Sequence, residues 1–360
     1  MRLVISGYYG YGNAGDEAVL AGMLQLLAAA GVDRSVVTVL SGDPAQTVAA
    51  HDVAAVSRWN PVRVAVALRR ADGLISGGGG LLQDVTSARP VAYYASVMQL
   101  ARMLRRPYAI VAQGLGPLRR SPNRRIARYV LEHAAYVSFR DDGSIALGRR
   151  IGVRRSIDRA ADTALAAVSA AGGAVERPGK HVVVAVRGGS AADSVLGPLR
   201  GAVAELARRR RVVALPMHGA VDTDVSAALV AGIGGASVAR PAGSLGETLE
   251  TIAEASVVIG MRLHALILAA AAGVPAIGIS YDPKVDAFAQ RAGIRVVGSR
   301  AAPIDAAMLV AAVEDSLREA PDPYGDRVTR MRQEAADSVR NALAALGIAA
   351  RPTSGAAEEA

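Results

Sequence analysis

Short apolar runs of strand length alternate along this chain with longer helical stretches, and the whole pattern occurs twice. The strands of the two series are predicted at 2–6, 36–40, 72–76, 109–112 and 135–139, and at 181–186, 212–216, 257–259, 275–279 and 294–297. Strands that alternate with helices form βαβ units, in which a parallel sheet is covered by helices on both faces. The sequence therefore predicts an α/β fold with two doubly wound Rossmann-like domains facing a cleft. Ligands of such sheets bind beyond the carboxyl ends of the strands.

The predicted boundary between the two series is the glycine-rich segment AAGGAVERPG, residues 170–179. It separates an N-terminal domain, 1–170, from a C-terminal domain, 178–320. Residues 321–346 are predicted as C-terminal helices that pack back on the N-terminal domain, and 349–360 as a disordered tail.

The composition excludes several classes of function. The chain of 360 residues is 51% hydrophobic but only 4% aromatic, so its core is expected to consist of Ala, Val, Leu and Ile. The absence of cysteine excludes disulfides, thiolate zinc sites and cysteine nucleophiles. No metal-ligand spacing relates His51, His133, His181 and His218, and no metal site is predicted. The longest apolar stretch, 265–279, is interrupted by Gly273 and Pro275, and the N-terminal run is followed by glycines, so a cytoplasmic protein is expected.

The net charge of +9 has two interpretations. It can reflect a GC-rich genome that encodes arginine instead of lysine on solvated surfaces, or a protein that handles anions. Nucleic acid is disfavoured, because basic runs such as 208–211 contain no interleaved aromatic residues.

The segment GYGNAG at 10–15 follows the first strand and matches the GxGxxG pattern of dinucleotide-binding proteins. Asp16 and Glu17 come next, in the first turn of the predicted helix, where they would repel a pyrophosphate. We therefore expect a tight turn that places Asn13 and Asp16 at the rim of the cleft. A turn of purely structural importance is the alternative.

Two further motifs follow strands of the first series. The sequence GGGGLLQD at 77–84 exposes backbone N–H groups, so Gly78 and Gly79 are candidate substrate-binding residues. Asp84 is a candidate for orienting or deprotonating a sugar hydroxyl, and capping a helix is its alternative. Arg140 follows the strand at 135–139, where its planar fork suits a carboxylate or phosphate. Pairing with Asp141 or Asp142 is the alternative for Arg140.

The turn GMRLH at 260–264 follows a strand and begins a helix. Arg262 and His264 would form an anion site with a titratable imidazole at the positive end of that helix. Past the next strand, Lys284 is one of only two lysines among 41 basic residues, which indicates that a compact ammonium group is needed there. Asp222, after the strand at 212–216, is a weaker candidate for the same region.

These motifs occur in one order, as GYYGYGNAGDEA, GGGGLLQD, SFRDDGS, GMRLHA and SYDPKV. Together they resemble the polysaccharide pyruvyl transferase family over about residues 1–300, specifically the CsaB type that modifies secondary cell-wall polysaccharide in bacteria with S-layers. Arg-Leu-His is the most specific element of the resemblance. The sequence departs from it at Val186–Gly189, where family members tend to carry a bulkier residue after the arginine, which puts the role of Arg187 in doubt.

The resemblance implies a GT-B-like fold and a transfer from phosphoenolpyruvate, without a metal or cofactor, that builds a pyruvate ketal on an N-acetylmannosamine-type sugar. It implies that Arg140, Arg262, His264 and Lys284 hold phosphoenolpyruvate, with the acceptor on the side of the N-terminal domain. His264 is the expected acid or base, with Asp16 or Asp84 activating the acceptor. Further expectations are a lipid-linked acceptor, contact with the inner face of the membrane, and a homo-oligomer.

Three other classes of function remain open at this point. A GT-B glycosyltransferase would bind a nucleotide sugar, although only Asp282 and Asp286 are candidates for the carboxylate that holds its ribose. A cell-wall binding module would need no histidine in the cleft. A dinucleotide oxidoreductase is opposed by Asp16 and Glu17.

Overall fold

A computed structural model describes residues 1–85, 87, 89–168, 179–189, 195–239, 245–299, 304–318 and 323–349. The chain divides into two compact units. The first comprises Met1–Tyr11, Val19–Ala167 and the described residues from Met331 on, and the second comprises Gly12–Ala18 and the described residues between Val168 and Arg330. Most of the predicted boundary at 170–179, and the predicted tail from residue 350 on, lie outside the described residues.

The sheet of the first unit is built from parallel strands. Their bounds are β1 Leu3–Ser6, β2 Val37–Ser41, β3 Ala54–Ser57, β4 Gly73–Ser76, β5 Gly79–Leu82, β6 Tyr108–Leu115, β7 Tyr136–Phe139 and β8 Asp158–Arg159. The order is β3-β2-β1-β4-β6-β7-β8, and β5 pairs with β6 beside this path. The direction of strand order reverses between β1 and β4, which makes this the topological switch point.

The helices within residues 1–150 connect these strands. They are α1 Ala14–Ala29, α2 Pro44–His51, α3 Pro61–Arg70, α4 Arg89–Met103, α5 Ser121–His133 and α6 Asp142–Arg150. The sequence analysis assigned no element to residues 41–71, where the structure has α2, β3 and α3. Both helices begin with proline after a capping residue, since Asp43 accepts a hydrogen bond from Gln46 N and Asn60 accepts one from Arg63 N.

The second unit contains a six-stranded sheet of the same kind. Its strands are β9 His181–Ala185, β10 Val212–Ala214, β11 Ala236–Val238, β12 Ala255–Gly260, β13 Ala276–Ser280 and β14 Arg295–Ser299. The order β11-β10-β9-β12-β13-β14 has its switch point between β9 and β12, and all pairs are parallel. The predicted α/β class with two parallel-sheet domains is confirmed.

The remaining helices are α7 Leu196–Ala207, α8 Gly219–Val230, α9 Leu245–Ala253, α10 Leu263–Ala271, α11 Pro283–Ala292, α12 Ala306–Ser316 and α13 Asp326–Ala345. The largely helical stretch predicted at 305–345 is therefore two helices. In α13, Ser338 forms a 2.6 Å hydrogen bond with Ser138 of β7, within the first unit.

The core of the second unit is aliphatic, as the composition predicts, whereas that of the first also contains Tyr94, Tyr108 and Phe139. The buried cluster of the second unit consists of Val, Leu, Ile, Ala and one methionine, Met261, among the described residues. Such a core buries each strand on both faces, and residues with chemical function are left at the strand ends.

Candidate active site

Each of three neighbouring strands of the second unit is followed, shortly after its carboxyl end, by a basic residue. Arg187 lies two residues past β9, Arg262 two residues past β12, and Lys284 in the first turn of α11 after β13. Ala185 pairs with Gly260, and Gly260 pairs with Gly278, so the three strands are in lateral register. The carboxyl ends of parallel strands lie at one edge of the sheet, and Arg187 and Arg262 flank the switch point at which ligands bind in this fold.

Arg262 is held by a buried carboxylate. Its Nε donates to Asp222 Oδ2 over 2.8 Å, and its Nη2 donates to Asp222 Oδ1. The side chain of Asp222 is fully buried, whereas that of Arg262 is 19% exposed. Because this bidentate contact uses two of the five guanidinium N–H donors, three remain for an anionic ligand. Asp222, a weak candidate by sequence, thus positions Arg262.

His264 is the second residue of α10 and is half-buried. Its imidazole lies directly against Gly15, since a Cβ atom added to Gly15 would be 2.2 Å from His264 Nδ1. The segment 12–18 is fixed within the second unit, because Ala14 N donates to Met217 O over 2.9 Å and Gly219 N donates to Gly12 O over 3.3 Å. The structure therefore brings together two motifs that are about 250 residues apart in the sequence.

Asn13 and Asp16 lie in this same segment. Asn13 Oδ1 accepts a 3.0 Å hydrogen bond from Gly15 N, which caps the beginning of α1. Asp16 is half-buried in the first turn of α1, where the sequence analysis placed it. Both residues are close in the chain to the glycine that contacts His264.

His218 is a site residue that the sequence analysis missed. It forms an isolated antiparallel bridge with Asn13 and directly precedes α8. Burial lowers the pKa of His218, the positive charges of Arg262 and Arg187 lower it further, and the carboxylate of Asp222 only partly offsets them. His218 was considered only for metal-ligand spacing, although its position after the strand β10 was a usable signal.

Arg187 stacks on Tyr281, with its guanidinium carbon 4.8 Å from the ring centroid. The next residue, Gly188, donates its N–H to Asp222 Oδ1 over 3.1 Å. A Cβ atom added to Gly188 would lie 2.4 Å from Val221 Cγ1. This contact gives a physical reason for the departure from the family pattern, because a larger residue after Arg187 would displace Val221.

Arg140, in the first unit, has a partner other than the two considered from the sequence. Its Nη1 forms a buried ion pair with Asp162 Oδ2, and the two side chains are 7% and 3% exposed. Asp141 instead caps α6, accepting a 2.7 Å hydrogen bond from Ser144 N. The ion pair gives Arg140 a structural role, and its contact with phosphoenolpyruvate stays a prediction.

Asp84 is 1% exposed and is engaged through both carboxylate oxygens. Oδ1 accepts from Arg119 N over 2.7 Å, and Oδ2 accepts from Arg120 N over 2.8 Å and from Asn123 Nδ2 over 3.1 Å. Burial raises the pKa of Asp84, but these three hydrogen bonds outweigh it and the pKa lies below its ordinary value. These contacts hold the segment that leads into α5, which favours a structural role for Asp84 over the activation of a sugar hydroxyl.

Gly78 and Gly79 each have a structural reason to be glycine. A Cβ atom on Gly78 would lie 2.9 Å from Val19 Cγ1. Gly79 has a φ of +87° and begins the strand β5. Close packing therefore accounts for Gly78 and backbone conformation for Gly79, and their contact with substrate stays a prediction.

Among the described residues, no group of three or more His, Cys, Asp or Glu side chains is arranged to hold a metal ion. No helix in the same ranges is long and apolar enough to cross a membrane.

The family model for polysaccharide pyruvyl transferase matches residues 13–283, a range that contains the second-unit cluster of Asn13, His218, Asp222, Arg262 and His264. The chain belongs to the polysaccharide pyruvyl transferase family. No curated protein matches the sequence of this pyruvyl transferase significantly.

Solved structures that resemble the pyruvyl transferase are GT-B-like. UDP-GlcNAc 2-epimerase from Methanocaldococcus jannaschii has a TM-score of 0.63 at 13% identity, covering 94% of this chain and 99% of that one. Anabaena HepE in complex with UDP and glucose has a TM-score of 0.62 at 12% identity, covering 96% and 99%. UDP-GlcNAc 2-epimerase from Neisseria meningitidis bound to UDP-GlcNAc has a TM-score of 0.59 at 11% identity, covering 92% and 99%. At these identities the likeness concerns the fold alone.

Proposed function

We propose that this pyruvyl transferase moves the pyruvyl group of phosphoenolpyruvate onto an N-acetylmannosamine-type sugar of a secondary cell-wall polysaccharide, forming a cyclic ketal and releasing phosphate. The observation that carries the proposal is the fixed position of Arg262. A buried carboxylate orients its guanidinium at the beginning of α10, two residues from the imidazole of His264.

The charges of this cluster support an anionic donor. Phosphoenolpyruvate carries a carboxylate and a phosphate, about three negative charges in total at neutral pH. Arg187, Arg262 and Lys284 supply three positive charges from neighbouring strand ends, and Asp222 neutralises only part of them. The first N–H groups of α10 add a further partial positive charge.

The reaction can be written with these groups. His264 in its protonated form donates a proton to the methylene carbon of phosphoenolpyruvate, which becomes the methyl group, while positive charge develops at C2. A first sugar hydroxyl adds its oxygen to C2 and loses its proton to a base. The C2–O bond to phosphate then breaks, phosphate leaves, and a second hydroxyl adds to C2 and gives its proton to His264, which restores the acid. The fixed guanidinium of Arg262 stabilises the negative charge of the departing phosphate.

The base that accepts the hydroxyl proton is assigned to Asp16 rather than Asp84. Asp84 has both oxygens engaged and a lowered pKa, which makes it a poor base. Asp16 lies one residue from Gly15, which contacts His264, and is half-buried. Neither the metal nor the cofactor that other transferases use enters this scheme.

The setting of the reaction is proposed from the same resemblance. The CsaB type implies a lipid-linked precursor as the acceptor, a role in S-layer anchoring, and an enzyme in the cytoplasm at the inner face of the membrane. The basic composition is consistent with attraction to anionic lipid. A homo-oligomer remains part of the proposal.

Calorimetric titration with phosphoenolpyruvate, a UDP-sugar and NAD in parallel, at one salt concentration, tests the donor. We expect saturable binding of phosphoenolpyruvate alone, and a loss of most of that affinity in Arg262→Ala. Binding of the UDP-sugar in place of phosphoenolpyruvate would overturn the proposal in favour of a glycosyltransferase. Binding of NAD would favour an oxidoreductase.

A further inference from the structure

Aromatic side chains concentrate at one place in the first unit. The chain has only one tryptophan, ten tyrosines and two phenylalanines. Five of these side chains surround Arg58 or one another, namely Tyr8, Tyr11, Trp59, Tyr93 and Tyr94. Tyr8 and Tyr11 lie in the motif GYYGYGNAGDEA, but no residue assigned to the pyruvyl transfer accounts for this cluster.

The guanidinium group of Arg58 lies against several of these rings at once. It is 6% exposed, and its Nη1 donates to Gly7 O over 3.0 Å and to Tyr94 Oη over 3.2 Å. Its guanidinium carbon lies 4.0 Å from the ring centroid of Tyr93, and 5.3 Å and 5.5 Å from those of Trp59 and Tyr11. Within the described part of the chain, no carboxylate forms an ion pair with Arg58. The guanidinium is therefore stabilised by ring faces, which fixes those rings in position.

The outer rings lie at the margin of the core of the first unit, against which Tyr8 and Tyr93 pack. Trp59 is 66% exposed, and Tyr8, Tyr11 and Tyr93 are half-buried. Tyr8 and Tyr11 stack with centroids 4.4 Å apart and planes inclined by 14°, and Trp59 lies 5.6 Å from Tyr93. A tryptophan needed only for packing would be mostly buried, because its hydrophobic stabilisation depends on the area removed from water. We call Tyr8, Tyr11, Trp59 and Tyr93 the aromatic platform.

The platform lies at the ligand-binding edge of its sheet. Tyr8 and Tyr11 follow β1, a strand of the switch point, and Trp59 follows β3. Ligands of open parallel sheets bind at this edge. Tyr11 is followed in the chain by the segment 12–18 that carries Gly15.

We propose that the aromatic platform binds a pyranose ring of the acceptor saccharide by stacking. The faces of a pyranose expose C–H bonds and its rim carries hydroxyl groups, a pattern that flat, rigid rings with phenolic hydroxyls complement. The choice of a saccharide rests on the proposed function, because the family acts on polysaccharide. The platform is in the first unit, whereas the residues assigned to phosphoenolpyruvate at the ends of β9, β12 and β13 are in the second.

Trp59 is the single tryptophan of the chain, so its fluorescence reports this surface alone. The full-length protein is titrated with the methyl glycoside of N-acetylmannosamine, with tetra-N-acetylchitotetraose and with UDP. We expect a saturable change in fluorescence with at least one of the saccharides and none with UDP. The same change is expected in Arg262→Ala, which separates the platform from the donor site.

Calorimetry with variants completes the test. We expect Trp59→Ala to bind the responding saccharide about tenfold more weakly and Trp59→Phe to keep most of the affinity. Met103→Ala, which removes a side chain that is 79% exposed in the same unit, should bind like the unmodified protein.

Three results would overturn the proposal. They are the absence of a saturable response to either saccharide, undiminished saccharide affinity in Trp59→Ala, and a response to UDP alone, which would indicate a nucleobase site. Phosphoenolpyruvate binding is measured on the same preparation, so a failure of the platform and a failure of the proposed donor give different results.

Discussion

The imidazole of His264 lies so close to the α-carbon of Gly15 that a methyl group added there would be 2.2 Å from Nδ1. The two residues belong to different motifs of the sequence, GNAGD and GMRLH. Their contact explains why a glycine precedes the acidic pair at the beginning of α1. It also means that the position of His264 can be changed without altering His264 itself.

Gly15→Ala tests this relationship. Alanine suits the helical backbone of α1, but its methyl group would displace the imidazole, and a displacement of about 1 Å near a reacting group costs on the order of a hundredfold in turnover. We expect that loss in the rate of phosphate release, together with a lower melting temperature, because the added methyl group would also lie 2.8 Å from His264 Cβ. Gly197→Ala is the matched control, because a Cβ atom there meets no atom within 4 Å. Full turnover in Gly15→Ala would contradict the assigned position of His264.

Asp222→Ala should destabilise the protein. It removes a fully buried carboxylate that accepts hydrogen bonds from Arg262 and Gly188 N. Because Arg262 is partly exposed and can turn toward water, we expect a loss of about 2 kcal/mol in the free energy of unfolding, measured with urea. Asp224→Ala, at an exposed position of the same helix, should change it by less than about 0.5 kcal/mol. Equal effects would show that Asp222 does not anchor Arg262.

Replacement by arginine can be compared at the two lysines of the chain, Lys284 and Lys180. We expect Lys284→Arg to reduce kcat/KM for phosphoenolpyruvate by about tenfold or more, because a planar fork cannot replace a compact ammonium group at a shaped site. Lys180→Arg should leave kcat/KM unchanged, since Lys180 is exposed and paired with Glu254. If both variants keep full kcat/KM, the prediction that position 284 requires a lysine is wrong.

Asp84 should contribute to stability in a pH-dependent manner. Its pKa in the folded protein lies below its ordinary value, so the folded state favours the carboxylate more than the unfolded state does. Its contribution is present above the unfolded pKa of about 3.9 and is lost as the pH falls through the folded value. Urea unfolding below about pH 4 should show a flatter acid slope for Asp84→Asn than for Asp224→Asn. Identical slopes would argue against the structural role of the Asp84 carboxylate.

His218 should titrate below its ordinary range. Burial and then the charge of Arg262 lower its pKa, so its imidazole is expected to be neutral at pH 7. A titration followed by NMR should give a midpoint below about 6.5 in the intact protein. In Arg262→Gln the midpoint should rise, because a positive neighbour is lost while Asp222 keeps its negative charge. An unchanged midpoint would show that the two side chains do not interact.

Much of the fold was predictable from periodicity, because buried parallel strands have apolar runs that are easily recognised. The strand predicted at 2–6 is Leu3–Ser6, and that at 275–279 is Ala276–Ser280. The elements between residues 41 and 71 were missed. The strand β3 there is short and partly exposed, and α3 is rich in arginine, so neither has a strong apolar signal.

Site residues that lie close together in the sequence were predictable. Arg262 and His264 lie in one turn, and the position of that turn after a strand indicated its role. The partners were not predictable, because Asp222 is 40 residues from Arg262 and Asp162 is 22 residues from Arg140. The aromatic platform was missed for the same reason, since Tyr8, Trp59 and Tyr93 meet only through the order of the strands.

One measurement tests the central claim most directly. Phosphoenolpyruvate labelled with ¹³C at C2 is incubated with the full-length protein and a glycoside of N-acetylmannosamine, and the products are followed by ¹³C NMR. The account predicts that the label moves into a quaternary ketal carbon of the glycoside as phosphate is released, and that His264→Ala slows this transfer at least about a hundredfold. A label that stays in phosphoenolpyruvate, or ketal formation at the full rate in His264→Ala, would contradict it.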